Sequence, residues 1–291
     1  MTSPASRRWE VGLSRLRRAE DPDRGEQLRC AMMFFATWGT VAGVHATLWS
    51  RSAPDLIVWL RASVFACALL GILLTHEFGH RFAAHHLGMP VSWPLFLPAP
   101  LLFGTFGALL GLRAPPRDRE SLLAMALAGP IAGLLGAGVL LALDQAVSPF
   151  PAAAGAPPVS LALPLGWRAA AAVGLAPHCV DPADPIAFAV WIAVWITGAN
   201  LLPFGQLDGG HIFTALFPAW SRAAGVAVGF ALLVAGLAWS GWWIWGLTLW
   251  ALGGANSIVP ERHGAPTRSP AVLAALAVVA CVGSIGVVPY R

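Results

Sequence analysis

Residues 56–82 read LIVWLRASVFACALLGILLTHEFGHRF, and this stretch decides the fold. Its apolar part has close to the roughly 20 residues that an α-helix needs to cross a bilayer. It ends in three ionisable side chains within five positions, His76, Glu77 and His80. An ionisable group at the centre of a membrane helix costs about 2.5–3.5 kcal/mol. The stretch therefore predicts a transmembrane helix with a polar cluster, and a divalent cation is the simplest group to offset its cost.

The spacing of the two histidines favours a shared ion. Residues four positions apart face the same way on an α-helix, about 6 Å apart along its axis. Both His76 and His80 can therefore offer a ring nitrogen to one metal. The pattern H-E-x-x-H is typical of zinc hydrolases, and Glu77 is placed to reach a water molecule on the metal. Since a catalytic zinc takes three protein ligands, a third must come from elsewhere in the chain.

The composition indicates a membrane protein along most of the chain. The 291 residues are 57% hydrophobic and 11% charged, whereas a soluble domain has about 25% charged residues. The 18 basic residues are all arginines, and they cluster between the apolar segments. This pattern excludes a basic nucleic-acid-binding face and predicts an all-α polytopic membrane protein.

The apolar segments define the domain organisation. Residues 1–29 are polar and contain seven arginines, which predicts a cytoplasmic basic tail. Residues 30–291 then form a transmembrane domain of about six to seven helices, since most segments reach the length of a span and one is short. The segments are 30–49, 56–82, 121–143, 186–207, 222–238, 240–254 and 271–288.

The distribution of arginine predicts the orientation in the membrane. With a cytoplasmic N-terminus, fourteen arginines lie in cytoplasmic segments and four lie outside, as the positive-inside rule expects. The HEFGH motif then lies at the cytoplasmic end of the second helix. We expect a multi-pass integral protein of a bacterial cell membrane, with its active site toward the cytoplasm.

The segment 88–112 is apolar, yet it cannot form a regular helix. It contains four prolines and four glycines, and prolines at this density interrupt helical hydrogen bonding. Irregular backbone at membrane depth is tolerated only where it is buried in protein or lines a wet cavity. We predict a membrane-embedded re-entrant loop or β-hairpin beside the active site, with an edge that can accept a peptide strand.

A second motif lies at the end of the fourth apolar segment, where residues 200–211 read NLLPFGQLDGGH. Asp208 is the only carboxylate between Pro185 and Glu261, and a carboxylate oxygen suits zinc beside two histidines. Pro203 would interrupt the helix, and the two glycines after Asp208 would let the backbone approach closely. We therefore expect Asp208 to be the third ligand.

Two other groups of side chains are open to more than one interpretation. His211 follows Asp208 by three residues, so it either orients that ligand or is an ordinary interface histidine. Five tryptophans between positions 239 and 250 are expected to form an aromatic belt at the outer membrane interface rather than a ligand site.

The two motifs, in their order and spacing, resemble the site-2 protease family of intramembrane zinc metalloproteases. The resemblance covers residues 56–221, which would form the catalytic core. It implies one Zn²⁺ per chain, held by His76, His80 and Asp208. It also implies that Glu77 activates the attacking water.

The same resemblance implies where a substrate binds. Members of the family hold a substrate strand near the motif asparagine and near a membrane-embedded hairpin. In this chain the corresponding residues are Asn200 and Pro203 in the second motif, and Gly104 and Gly107 in the segment before it.

Details of the motifs resemble one subgroup of the family. The sequences GTFG at 104–107 and LAGPIAG at 127–133 are similar to those of a subgroup without a PDZ domain, which includes plastid members. Gly205 stands where many members have a second proline. We therefore expect no PDZ domain in this chain.

The implied function is hydrolysis of peptide bonds within or near transmembrane segments, in regulated intramembrane proteolysis. The expected partners are a transmembrane protein substrate and the lipid bilayer. Two alternatives stay open: a catalytically silent homologue acting as a membrane scaffold, and a metal-binding membrane transporter. The intact set of His76, Glu77, His80 and Asp208 argues against the scaffold, and Glu77 has no purpose in simple transport.

Overall fold

The computed structural model describes residues 24–49, 55–101, 103–147 and 161–252. This part of the chain is mostly helical, with one small sheet. The elements are α1 (Arg24–Val44), continued by a π-helical turn (His45–Trp49), α2 (Leu56–His86), β1 (Leu95–Pro98), β2 (Thr105–Leu109), α3 (Arg119–Val147), α4 (Leu165–Ala172), α5 (Pro185–Asn200), α6 (Asp208–Leu216), α7 (Ser221–Ala235) and α8 (Gly241–Leu252).

Within the described residues, three helices are long and apolar enough to cross a membrane, namely Arg24–Trp49, Leu56–His86 and Arg119–Ala146. Helices α5 and α7 are apolar but shorter. The prediction of a helical membrane protein is confirmed at this level. The count of six to seven spans stays a prediction, and its last segment, 271–288, lies outside the described residues.

Helix α5 lies at the centre of the helical core. It is apolar on all sides, as expected of a helix surrounded by protein, and it packs against both α2 and α3. Its large side chains Phe188, Trp191 and Trp195 are at most 1% exposed. Because α5 ends at Asn200, this core places the second motif beside α2 and α3.

Helices α2 and α3 pack closely and run antiparallel. Gly129 lies beside His80, and Gly136 lies beside Thr75 on the preceding turns of α2. A Cβ atom on Gly79 would lie 2.5 Å from a carbonyl oxygen of α3. Small residues are therefore required along this seam, since they let two membrane helices approach at backbone distance.

The segment between α2 and α3 forms a β-hairpin. Strands β1 and β2 pair antiparallel, with Phe96 opposite Ala108. Gly104 and Gly107 have φ angles of +88° and +92°, a region that side chains other than glycine rarely adopt. The sequence left a re-entrant loop or a hairpin open, and the structure has the hairpin.

The hairpin is attached to α1 at both ends. The hydroxyl of Thr40 donates to the carbonyl oxygen of Gly104 at 2.8 Å. At the base, Oε1 of Glu26 accepts the backbone N–H of Trp93 at 3.0 Å, and the same carboxylate pairs with Arg113. These contacts hold the two strands against the helical core.

Candidate active site

Three side chains from two distant parts of the chain converge on one point. Nε2 of His76 lies 3.1 Å from Oδ2 of Asp208, and Nε2 of His80 lies 3.2 Å from Oδ1. The two Nε2 atoms are 3.1 Å apart. Both histidines are at most 5% exposed, and the Asp208 side chain is 14% exposed. The grouping that the two motifs predicted is therefore present in the structure.

Asp208 reaches the histidines because the chain folds back after α5. The segment between Asn200 and Asp208 is non-helical, and Gly205 within it has a φ of +47°. A Cβ atom on Gly209 would lie 2.0 Å from the carbonyl oxygen of Leu201. The first turn of α6 thus packs directly on the preceding loop, which only glycine allows at this position.

The hydrogen bond of His80 defines its tautomer. Its Nδ1 lies 2.8 Å from the carbonyl oxygen of Met125, which can only accept, so Nδ1 carries the hydrogen. In the neutral imidazole, Nε2 of His80 then presents a lone pair toward His76 and Asp208. Orientation of a ligating imidazole through its other nitrogen is common at metal sites.

The donor set fits a zinc ion. Lone pairs of two imidazoles and a carboxylate face one point, an arrangement that a cation satisfies. The ligand atoms of a tetrahedral zinc lie about 3.3 Å from one another, given its bond lengths of about 2.0–2.1 Å. The separations of 3.1 and 3.2 Å among His76, His80 and Asp208 agree with this spacing. These residues form one group of three metal-ligating side chains in the part of the chain that the structure describes.

A cavity of about 390 Å³ opens onto this group. Glu77 lies on its wall beside the two histidines and is only 6% exposed. Strand β2 and the residues after it, 106–112, line a second wall. Helix α8 contributes Trp245 and Leu249 to the same cavity. A peptide could thus lie between a strand edge and the candidate metal centre.

The four residues predicted to bind substrate divide into two pairs. Asn200 and Gly107 line the cavity. Gly104 instead packs against α1, where a Cβ atom would lie 2.4 Å from Cα of Val41. Pro203 is not among the lining residues, although the adjacent Phe204 is. The structure brings Asn200 and Gly107 to the same cavity and places the other two outside its lining.

The two open interpretations of the sequence have different outcomes. His211 is 7% exposed and lines the cavity, so it lies at the candidate site. The aromatic belt is wrong for Trp242 and Trp245, which are 5% exposed and pack against Trp195. These two side chains are buried by their ring contacts with the aromatic core, so they do not form part of a belt exposed to the membrane interface.

Several features of the site have no signal in the motifs. The carbonyl of Met125 cannot be distinguished by sequence from any other carbonyl. Gly129 and Gly133 lie beside His80 and His76, although the LAGPIAG sequence that contains them indicated only a subgroup of the family. The contribution of Trp245 depends on where α8 packs, which residue order alone does not specify.

Comparison with known proteins supports the same assignment. The model of peptidase family M50 matches residues 64–236 of this chain. That range includes both motifs and all three ligand candidates. No solved structure matches the chain significantly.

Two of the curated relatives match over 52% and 61% of this chain. The chain is 34% identical over 160 residues to a protein of Arabidopsis thaliana named probable zinc metalloprotease EGY1, chloroplastic, covering 52% of this chain and 29% of that protein. It is 30% identical over 192 residues to the probable zinc metalloprotease EGY2, chloroplastic, of Oryza sativa subsp. indica, covering 61% of this chain and 34% of that protein. The chain thus spans about a third of the length of the relatives it matches.

The family match covers more than half of the chain, and its residues include the converging His76, His80 and Asp208. The fold and the site thus agree with the resemblance found in the sequence. This chain belongs to peptidase family M50, the site-2 protease family of zinc metalloproteases.

Proposed function

We propose that the protein is an intramembrane zinc metalloprotease that hydrolyses peptide bonds within or near transmembrane segments of other membrane proteins. One observation carries the proposal: Asp208 converges with His76 and His80 beside a strand-lined cavity that Glu77 also lines. The two histidines and Glu77 lie on a helix long enough to cross a membrane. A metalloprotease needs these parts together, namely a metal centre, a base and a place for an extended peptide.

Each residue of the centre has a distinct task. A zinc ion held by His76, His80 and Asp208 would act as a Lewis acid on the scissile carbonyl and make water acidic enough to lose a proton near neutral pH. The carboxylate of Glu77 takes that proton and later delivers it to the leaving amine. The burial of Glu77 keeps bulk water away from this transfer.

The substrate is proposed to bind as an extended strand. A helical amide is shielded by its own hydrogen bonds, so a substrate helix must unwind before hydrolysis. Within the described sheet, β2 pairs with β1 alone, which leaves its other edge for backbone pairing with a peptide. The side-chain amide of Asn200 lies in the same cavity and can hydrogen-bond to the extended backbone.

The proposed orientation puts the N-terminus and the catalytic centre toward the cytoplasm, in a chain with six to seven spans. The arginine distribution supports this orientation. The centre lies in the last three turns of α2, so the path for water from that end is short. The cell membrane of a bacterium is the proposed location.

The transporter and scaffold alternatives have less support. A transporter needs successive sites across the bilayer, whereas one group of three ligand candidates is found within residues 24–49, 55–101, 103–147 and 161–252. A scaffold does not need a buried carboxylate beside the ligands, and Glu77 occupies that place.

The decisive experiment combines cleavage and metal content on the same purified protein. Glu77→Gln keeps the size of the side chain and removes its basicity. We expect this variant to retain zinc and to lose about 10²–10⁴-fold in the rate of cleavage of a single-span membrane substrate. Asp208→Ala is expected to bind zinc far more weakly, through the two histidines alone, and to lose activity.

Two outcomes would contradict the proposal. Near-wild-type cleavage by Glu77→Gln at normal zinc content would exclude the proposed mechanism. Loss of zinc from Glu77→Gln would make Glu77 a ligand or a support of the centre rather than its base. Asp144→Asn is the matched control, since it changes another buried carboxylate on a membrane-length helix but lies outside the cavity.

A further inference from the structure

A side chain outside both motifs hydrogen-bonds to the helix that carries the third ligand. Arg119, the first residue of α3, donates from Nε to the carbonyl oxygen of Ala215 at 2.5 Å. It also donates from Nη2 to the carbonyl oxygen of Leu216 at 2.7 Å. Both carbonyls belong to the last turn of α6, where an α-helix has no internal partners for them. A positive charge at this end is also favoured by the helix dipole.

Helix α6 is short, so its two ends move together. It has nine residues, with Asp208 first and Leu216 last. Its N-cap residue, Leu207, makes no side-chain capping bond. A shift of the C-terminal turn, which Arg119 holds by hydrogen bonds, would therefore be transmitted to Asp208 over about two and a half turns of helix.

The same helix α3 also holds the histidine side of the centre. The carbonyl of Met125 orients His80, and Gly133 lies against His76. The start of α3 is itself fixed, since Oδ1 of Asp118 accepts the N–H of Ser121 at 2.8 Å. One helix therefore contacts both halves of the ligand set.

We propose that Arg119 is a positioning residue of the metal centre. Its two hydrogen bonds hold the last turn of α6 against the start of α3, and they thereby set the distance between Asp208 and the two histidines. The inference rests on the proposed function for its effect on catalysis, but its effect on metal affinity can be measured without any substrate.

The test is zinc affinity, measured by competition with a chelator on the full chain in detergent. Arg119→Gln removes the charge and the paired donors. We expect its zinc affinity to fall about 10–100-fold, the range seen when a group that orients a ligand is lost. The visible spectrum of the cobalt-substituted protein should also change, because the position of the Asp208 carboxylate changes. Arg117→Gln is the control, since it removes an exposed charge two residues away and should leave both readouts unchanged.

A double-mutant cycle separates positioning from general stability. In an Asp208→Ala background, Arg119→Gln should cause no further loss of zinc affinity, because Arg119 acts through Asp208. Arg119→Lys, which keeps the charge but not the planar fork, should fall between wild type and Arg119→Gln. It also serves as the test variant if Arg119→Gln does not fold.

The outcomes distinguish this proposal from the proposed function. If the Arg119 variants had the same zinc affinity and the same cobalt spectrum as wild type, the positioning role would be overturned. The protease proposal would stay intact. An equal loss in the Asp208→Ala background would overturn it too, since the effect would then not pass through Asp208. A wild-type protein that binds zinc but cleaves no substrate would contradict the proposed function alone.

Discussion

Gly129 lies so close to His80 that a Cβ atom added to it would be 2.0 Å from Nε2 of the imidazole. This nitrogen is one of the three candidate ligand atoms. The ligand therefore occupies the volume that a side chain at position 129 would fill. Helix α3 thus packs against α2 and also leaves the space that the His80 ligand occupies.

Substitution of this glycine should disturb the metal site directly. We expect Gly129→Ala to displace His80, because overpacking of this kind costs about 1–3 kcal/mol. Zinc content of the purified variant should fall well below that of wild type, and cleavage should fall with it. Gly138→Ala on the same helix is the matched control, since its Cβ would meet no atom within 4 Å. Equal zinc in both variants would show that His80 is free to move.

Asn200 should affect substrate use without affecting the metal. It lines the cavity but is not part of the ligand group. Loss of one hydrogen bond to the substrate costs about 0.5–1.5 kcal/mol, so Asn200→Ala should lower kcat/KM by roughly two- to tenfold, with zinc content unchanged. Thr197→Ala, one turn earlier on α5, is the control, because that hydroxyl already donates to the carbonyl of Ala193. Zinc loss from Asn200→Ala would assign Asn200 to the metal centre instead.

The orientation can be tested with a native cysteine. Cys179 is exposed and precedes α5, which ends at the cavity. The proposed topology therefore puts it outside. In a background without Cys30, Cys67 and Cys281, a membrane-impermeant maleimide should label Cys179 from outside and Arg117→Cys from the cytoplasm. Labelling of both positions from the same side would contradict the topology.

A buried carboxyl far from the site should be a weak point of stability. Asp144 is 3% exposed, and neither side-chain oxygen has a hydrogen-bond partner among the described residues. An unsatisfied buried polar group costs about 1–3 kcal/mol. Asp144→Asn, which removes the negative charge at similar volume, should therefore raise the thermal unfolding temperature in detergent.

The control for this prediction is Asp55→Asn. Asp55 is exposed and caps α2 by accepting the N–H of Val58 at 2.9 Å. Asparagine caps a helix about as well, so little change is expected there. A lower unfolding temperature for Asp144→Asn would mean that the Asp144 carboxylate has a stabilising partner.

The sequence predicted the centre because its ligands are rare residues in an apolar chain. Two histidines four positions apart lie on the same side of a helix. Asp208 has no competing carboxylate between Pro185 and Glu261. The hairpin was also predictable as an irregular segment, since proline density excludes a helix. In each case local chemistry restricts the structure, whatever the rest of the chain does.

The remaining parts of the site depend on contacts between distant segments. Arg119 and Ala215 are far apart in sequence, and nothing local marks the hydrogen bond between them. The inward position of Trp245 follows from its contact with Trp195. In the sequence, the tryptophan-rich segment 239–250 instead resembles an aromatic belt at a membrane interface. Such features require the packed structure.

Helix α8 lies beyond the family match but lines the cavity of the candidate active site. The family match ends at residue 236, whereas Trp245, Thr248 and Leu249 of α8 line the same cavity as the candidate ligands. The candidate ligands and Glu77 thus come from the part of the chain that the family model covers, and part of the cavity wall lies beyond it. Under the proposed function, a change of side-chain volume on α8 would alter which substrate residue is accepted beside the scissile bond and would leave the proton transfer by Glu77 intact.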